Sequence, residues 1–588
     1  MKLKKFVILI TMAILAIPAF SQVKASGVVI ADGEPAIGAT VQVKGQPSIG
    51  AATDIDGNFV LTVPNSNSVL VFSYIGYETK EVKASENMKV ELSVGDAHQL
   101  SEVVVTGMQK MDKRLFTGAT TQINAEDAKL DGVADISRSL EGKSAGVSVQ
   151  NVSGTFGTAP KIRVRGATSI YGASKPLWVV DGVVMEDAVE VSADELSSGD
   201  AVTLISSAIA GLNSDDIESF QILKDGSATS IYGAKAMAGV IVVTTKKGKA
   251  GSARVSYTGE FTTRMKPRYA DFNISNSQEQ MGIYREMEQK GWLEFASIAS
   301  AANSGVYGKM YQMIEQYDAT NGKFGLEHTP SAMNAYLRAA EYRNTDWFDE
   351  LFSNALLQNH SVSIAGGTEK GKFYTSLSVM NDPGWYQSSD VRRYTFNANA
   401  SYDISKTLRV SVLTSDSYRK QKAPGTLSQE TDPVSGVVKR GFDINPYSYA
   451  LNTSRTLSAH ETYTRNWSDF NIFHELENNY IDIGVTDLKF QGEINWRPIS
   501  GLEFNALGAY RYQSSVQEHH VKDHSNQALA YRAGIDPEDA TIRAINPYLY
   551  TDPEDPNALP VTILPKGGIY YNDTYKVSQY DFRATGTY

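Results

Sequence analysis

Three short constellations in this chain invite a chemical reading, and none of them completes it. Asp54-Ile55-Asp56-Gly57 carries two carboxylates at the spacing that opens a calcium loop. Such a loop needs further oxygen ligands and a distal glutamate. Neither follows, and an Asp-Gly turn between strands accounts for the residues. The segment 366–373, GGTEKGKF, sets Gly366, Gly371 and Lys372 as a phosphate-binding loop would. Phe373 stands where a magnesium-holding serine or threonine belongs, and the flanks alternate as two strands, so a hairpin turn is expected. His519 and His520 are adjacent. In a strand, neighbouring side chains leave by opposite faces, which separates the two imidazoles; a loop pair without a metal role is the expectation. The chain has no HEXXH pair, no Ser-His-acid spacing and no cysteine. The last absence excludes thiolate metal sites, thiol nucleophiles, disulfides and a lipid on cysteine. No catalytic residue, metal or cofactor is expected, and the chain is not expected to be an enzyme.

The elements that carry these residues show a different kind of order. In RYTFNANASYD, Tyr394, Phe396, Ala398, Ala400 and Tyr402 share one face of a strand, and Arg393, Thr395, Asn397, Asn399, Ser401 and Asp403 share the other. Period two with one apolar face, small in its middle and aromatic at both ends, is the profile of a transmembrane barrel strand. The pattern recurs at Val255–Thr263, Leu488–Trp496, Leu502–Tyr510 and Tyr580–Tyr588. Each run is roughly nine to eleven residues, enough for a tilted strand to cross a bilayer. Short turns alternate with long polar segments, and a polar, partly helical insertion at 272–350 reads as a long outer loop. A soluble β-sandwich is the competing account.

The N-terminus reads as an export signal. Lys2, Lys4 and Lys5 precede an apolar run from Phe6 to Ile17, then Pro18, Ala19 and Ser21, with cleavage expected before Gln22. No other stretch reaches the roughly eighteen apolar residues of a membrane helix. A net charge of −11 argues against general nucleic-acid binding. The 31 tyrosines, many beyond residue 250, suit interface girdles and a sugar- or peptide-contacting surface.

Along the chain, short β-branched runs separated by Asp-Gly and Pro-Asn turns suggest a small β-sandwich over about 24–95. LSEVVVTG follows at 100–107. Its three valines favour an extended conformation. Lying between two domains, the segment is expected to be exposed, with an edge that could recruit a strand from another protein; a last strand of the sandwich accounts for it equally. Residues 115–248 read as a mixed α/β unit, with a strand break at Asp181-Gly182 and the heptapeptide ATSIYGA occurring at 167–173 and 228–234.

At LEGKSAGVSV (140–149), IRVRG (162–166), LWVVDGV (177–183) and NSDDIESFQILKDGSATSIYGAKAMAGVIVVTTKKG (213–248), the chain resembles the SusC/RagA family of TonB-linked outer-membrane transporters. IGATVQVKG, TDIDGNF and FSYIGY are similar to the carboxypeptidase-regulatory-like domain that leads this family, and LSEVVVTG matches its TonB-box position. The resemblance implies a mainly β protein: a signal peptide at 1–21, a carboxypeptidase-regulatory-like β-sandwich at 22–97, a TonB-box-like segment and linker at 98–110, an α/β plug domain at 111–250, and an antiparallel transmembrane β-barrel from 251 to 588. It further implies import of oligosaccharides or peptides, with a SusD-like surface lipoprotein as lid and periplasmic TonB pulling on Ser101, Glu102, Val103, Val104, Val105, Thr106 and Gly107. Arg163, Arg165, Gly166, Asp181, Gly182, Asp225, Tyr232, Gly233 and Gly239 match plug positions, and their implied role is mainly structural. A non-translocating adhesion barrel and a siderophore or cobalamin receptor are the rival functions. About eight barrel strands can be counted, whereas plugged transporters use about 22. The barrel is therefore expected to be incomplete, stopping partway at Tyr588.

Overall fold

The computed structural model describes residues 23–588 apart from 32, 66, 75–76, 78, 94–102, 109, 114–115, 131–135, 151–159, 165–174, 187–208, 294–297, 299–300, 426–428, 432–437, 441 and 556. The chain divides into two compact units, 1–103 and 104–588.

The first unit is a β-sandwich. Strand β1 (Val23–Ala31) pairs antiparallel with β4 (Asn58–Val63) and parallel with β7 (Met88–Leu92). A second sheet runs β3 (Gln46–Ala52), β2 (Thr40–Val43), β5 (Val69–Ser73), β6 (Lys80–Lys83). Alternate residues Phe59, Leu61 and Val63 of β4 point into a core with Val29, Val41, Leu70, Phe72 and Val90. The candidate calcium residues form a turn. The Asp54 carboxylate accepts from Asp56 N at 3.0 Å and Asn58 N at 2.8 Å, and Gly57 takes φ 75°. Those backbone bonds hold its carboxyl below the usual carboxylate range.

The second unit begins within β8 (Val103–Val105), which pairs with β9 (Lys110–Asp112). A five-stranded mixed sheet follows, in the order β10 (Thr120–Asn124), β15 (Ile217–Leu223), β16 (Val240–Thr245), β13 (Leu177–Val180), β14 (Val183–Met185). Between β10 and β13 in the chain, β11 (Val147–Gln150) and β12 (Lys161–Val164) form a separate hairpin. The unbroken apolar run of β16 is the signature of a strand covered on both faces, and its first four residues are buried. β13 and β14 are joined by Asp181 and Gly182 alone, with φ 50° and 88°. Both left-handed values suit the two-residue hairpin turn that Asp-Gly favours.

Eight long strands then form one antiparallel meander: β17 (Gly251–Arg264), β18 (Ala355–Gly367), β19 (Gly371–Asp382), β20 (Val391–Asp403), β21 (Leu408–Pro424), β22 (Asn479–Ile499), β23 (Leu502–Val521) and β24 (Ile569–Thr587). The sheet is open, with β17 and β24 at its edges. Its burial is inverted relative to a water-soluble sheet. On β20, Tyr394, Phe396 and Tyr402 are 45%, 38% and 56% exposed, while Arg393, Thr395, Asn397 and Asn399 are buried. Phe490, Ile494 and Trp496 on β22 are likewise exposed, opposite buried Lys489 and Gln491. An exposed apolar face opposite a buried polar face suits lipid on one side and a polar body on the other. The large antiparallel sheet is a partial barrel wall. Among the described residues no helix is long and apolar enough to cross a membrane.

One end of the sheet carries short turns, at 368–370, 404–407 and 500–501; the other carries the segments 265–354, 383–390, 425–478 and 522–568. The near phosphate loop is one of the short turns, where Thr368 Oγ1 accepts from Gly371 N at 3.1 Å. The long segments fold on one another. Tyr269, Trp347 and Phe348 share a buried cluster with Tyr386, Ile444, Phe470 and Leu476.

Candidate functional site

The valine-rich segment runs into the plug. Ser101 and Glu102 lie outside the described residues, but Val104 and Thr106 are buried, and Val105 packs on Val179, Leu223, Ala228, Val240 and Val242. The expected exposure is corrected for Val104–Gly107. A run of β-branched residues suits a place beside the plug's own valines as well as it suits a free edge. The backbone is tied as well. Val105 N donates to Gln221 Oε1 at 3.4 Å, and the Tyr232 hydroxyl donates to Thr106 O at 2.6 Å. Arg583 Nη1, on β24, donates to Gly107 O at 3.0 Å. Gly107 takes φ 81°, and a Cβ there would stand 2.4 Å from the Tyr232 hydroxyl, so only glycine allows this approach.

The wall holds the plug through main-chain oxygens. Along the β13–β14 hairpin, Lys489 Nζ donates to Val180 O at 3.2 Å and Gln491 Nε2 to Asp181 O at 2.9 Å. Arg583 Nη2 donates to Gly182 O, Gln579 Nε2 to Val184 O at 2.7 Å, and Arg511 Nη1 to Glu186 O at 2.7 Å. Five inward side chains from three adjacent strands thus satisfy five carbonyls of one hairpin. Buried carbonyls need such partners. Arg511 is itself fully buried and pairs with Asp487, with Nη2–Oδ2 at 2.7 Å and Nε–Oδ1 at 3.0 Å. Elsewhere, Arg393 Nη1 donates to Ala210 O at 3.1 Å, and the Tyr374 hydroxyl donates to the buried Asp216 at 2.8 Å. Burial pushes the Asp216 carboxyl above its ordinary range.

The plug residues expected from sequence fall into several places. Asp181 sits in the hairpin turn and accepts from Thr245 N at 3.0 Å and Thr245 Oγ1 at 2.7 Å, with Lys489 at 4.0 Å. Gly182 presents the carbonyl that Arg583 reads. Asp225 caps the helix Gly226–Thr229, accepting from Ala228 N at 2.8 Å and, on its other oxygen, from Ala119 N at 2.8 Å. Such caps answer the open N–H groups of a helix start. Tyr232 reaches the valine segment, its phenol raised by burial. Gly233 marks a kink at φ 64°, and a Cβ at Gly239 would meet Val164 at 2.9 Å. Arg163 lies on β12, apart from the seat, and its Nε has no hydrogen-bond partner among the described residues. Arg165 and Gly166 lie outside the described residues, as does the first copy of ATSIYGA.

The seat donors Lys489, Gln491, Arg511, Gln579 and Arg583 were not singled out in the sequence. Their only signal is a long polar side chain at alternate positions of strands whose other face is apolar. His519 and His520 lie within β23 rather than in a loop. His519 faces inward, in hydrogen-bond reach of Asn479 Oδ1 at 2.7 Å, and His520 faces outward toward Asp482. Among the described residues, no cluster of three or more metal-ligating side chains exists.

A leading β-sandwich, an α/β body bonded to the polar side of an inside-out sheet, and a valine segment buried in that body define the architecture of a TonB-dependent receptor. Residues 25–105 match the CarboxypepD_reg-like domain and residues 112–240 the TonB-dependent Receptor Plug Domain. The chain is similar to TonB-dependent receptor P26 of Formosa agariphila, at 29% identity over 531 residues, covering 84% of this chain and 48% of the relative. It is also similar to the TonB-dependent receptor SusC of Bacteroides thetaiotaomicron, at 32% identity over 401 residues, covering 67% of this chain and 34% of that one. Among solved structures it is similar in fold to the RagAB peptide importer in its open-open state, with TM-score 0.52 and 20% identity over 71% of this chain and 43% of that one. The chain belongs to the SusC/RagA-type TonB-dependent transporters, a family of outer-membrane proteins and not an enzyme family. It spans about half or less of the length of these curated relatives.

Proposed function

We propose that this protein imports a bulky nutrient, oligosaccharide or peptide, across the outer membrane. Residues 1–21 serve as a cleaved export signal, and the leading sandwich lies in the periplasm. A SusD-like lipoprotein covers the outer loops, and TonB draws on Ser101–Gly107. The observation that carries this reading is the valine segment itself. It is bonded at once to the plug, through Tyr232, and to the wall, through Arg583, so a pull on it loads the contacts that seat the plug. Strand addition is a suitable handle, because several main-chain hydrogen bonds load together. An adhesion barrel would have no use for such a linkage. Deleting Ser101–Gly107 is expected to leave surface expression and ligand binding intact while abolishing growth on the imported nutrient. Normal uptake by the deletion strain would refute the coupling role.

A further inference from the structure

Toward the long loops, the outward side of the sheet carries a pair of facing cations. In the antiparallel register of β20 and β21, Tyr394 stands opposite Tyr418 and Arg392 opposite Lys420. The two tyrosine rings stack, with centres 6.4 Å apart and planes at 21°. Both rings are exposed on the apolar side, and so are Arg392 and Lys420. From Tyr394 to the exposed Tyr402 at the short-turn end, the outward face of β20 runs for about 27 Å of strand. Tilted by about 40°, that length covers most of a roughly 25 Å apolar band between two aromatic girdles. Arg392 and Lys420 sit one outward position beyond the ring pair, at headgroup level, and the long-loop end of such a wall is the outer one.

Like charges directly opposite each other destabilise a strand pair. Among the described residues neither cation is ion-paired, not even with Asp390 beside the start of β20. Asp482 stands opposite Lys422 and lies 3.8 Å from His520. Asp416 shares the outward side of β21, but it is about 13 Å of strand from Lys420, on the membrane side of Tyr418, and accepts from Thr414 Oγ1 at 3.0 Å. The other two lysines at this end are engaged by one ring, with Lys422 Nζ 3.9 Å and Lys522 Nζ 5.3 Å from the centre of Tyr480. Exposed Asn381 stands opposite Arg392 on β19 and adds an amide to the row. Gly484 stands opposite Lys420 on β22, with open space where a side chain would be. Both β20 and β21 are paired on their two sides, so the row does not depend on anything beyond the edges of the sheet.

An amide and two unpaired cations in a row, with a stacked ring pair on the membrane side, complement an anion that carries acyl chains. We propose that Asn381, Arg392 and Lys420 bind the phosphate of an outer-leaflet lipid, whose acyl chains lie along Tyr394 and Tyr418. Bound phosphate removes the repulsion between the two facing cations. A free phosphate would gain nothing from the rings. The proposal goes beyond the import reading and rests only on the outward side of the sheet facing lipid.

The test titrates the full-length receptor in detergent with lipid A, with the same lipid after phosphatase treatment and with inorganic phosphate, and counts bound lipid by native mass spectrometry. The wild type should bind lipid A about tenfold more tightly than the double variant Arg392→Gln, Lys420→Gln, while the phosphatase-treated lipid binds both alike. Lys420→Glu should lose lipid A as fully, yet its Tm in lipid-free detergent should stay the same or rise, because Arg392 gains a partner within the chain. Lys422→Gln, which removes an engaged cation, should leave binding unchanged. The readout needs neither TonB nor nutrient, so it stands apart from the import reading. The proposal is overturned if the double variant or Lys420→Glu binds lipid A as the wild type does, or if the wild type binds the phosphatase-treated lipid equally well. It is also overturned if Lys420→Glu lowers Tm, if Lys422→Gln loses as much binding, which would reduce the effect to net charge, or if inorganic phosphate displaces the lipid, which would make the row a site for free phosphate.

Discussion

Tyr232→Phe removes one oxygen, the donor that reaches Thr106 O at 2.6 Å inside the plug. The carbonyl stays buried and loses that partner, at a cost of about 1–2 kcal/mol. If the valine segment opens as a local unit, its opening constant rises about 5- to 30-fold. Arg583→Met removes a charged donor from both Gly107 O and Gly182 O. A charge-assisted bond is worth about 1.5–3 kcal/mol, so that variant should open roughly 10- to 150-fold more often. The two effects should not simply add, because both act on one segment. The chain has no cysteine, so a single Val105→Cys reporter reads the segment without background. With closing fast relative to reaction, maleimide labelling tracks the open population. Labelling should therefore accelerate by these factors when either substitution is added to the reporter chain, while a reporter at exposed Lys406 stays unchanged. Equal labelling rates at the position-105 thiol, within twofold, with and without Tyr232→Phe or Arg583→Met would show that neither bond holds the segment.

Two further outcomes test the faces and the seat. Ala398→Arg puts a charge on the lipid side of β20, costing about 2–4 kcal/mol near mid-bilayer, and should lower outer-membrane yield and heat stability; unchanged values would refute the assignment of faces. Arg511→Met leaves Asp487 buried without its partner and should destabilise the folded protein by about 3–5 kcal/mol, with much of that recovered in the Asp487→Leu double variant, as read from denaturant midpoints.

The strands were legible because period-two alternation is local and strong. Arg393–Asp403 shows both its faces in eleven letters, and the folded sheet buries and exposes them accordingly. The Asp181-Gly182 turn was legible for a similar reason, since φ above zero restricts the residue types allowed. The burial of Val104 and Thr106 was not, because three valines suit a free edge and a covered one alike. The seat was hidden more deeply. Its acceptors are backbone carbonyls, which every residue has, and its donors come from strands separated from the hairpin by 309 to 401 positions. The loop clusters depend on segments distant in the chain folding together, which no window of sequence displays.

The hairpin at Val180–Glu186 is held by hydrogen bonds to its main chain, with Lys489 also 4.0 Å from the Asp181 carboxylate. Any residue offers the same oxygen, so apart from Asp181 the hydrogen bonds of the seat do not depend on the hairpin's side chains; the donors are Lys489, Gln491, Arg511, Gln579 and Arg583. The plug can change its letters here and keep its berth, provided its backbone keeps the same path. The wall has no such freedom, since losing any one of five side chains removes a bond to the hairpin. Exchanging this hairpin's side chains outside the Asp181-Gly182 turn should leave docking unaltered, whereas exchanging the five wall residues should change it.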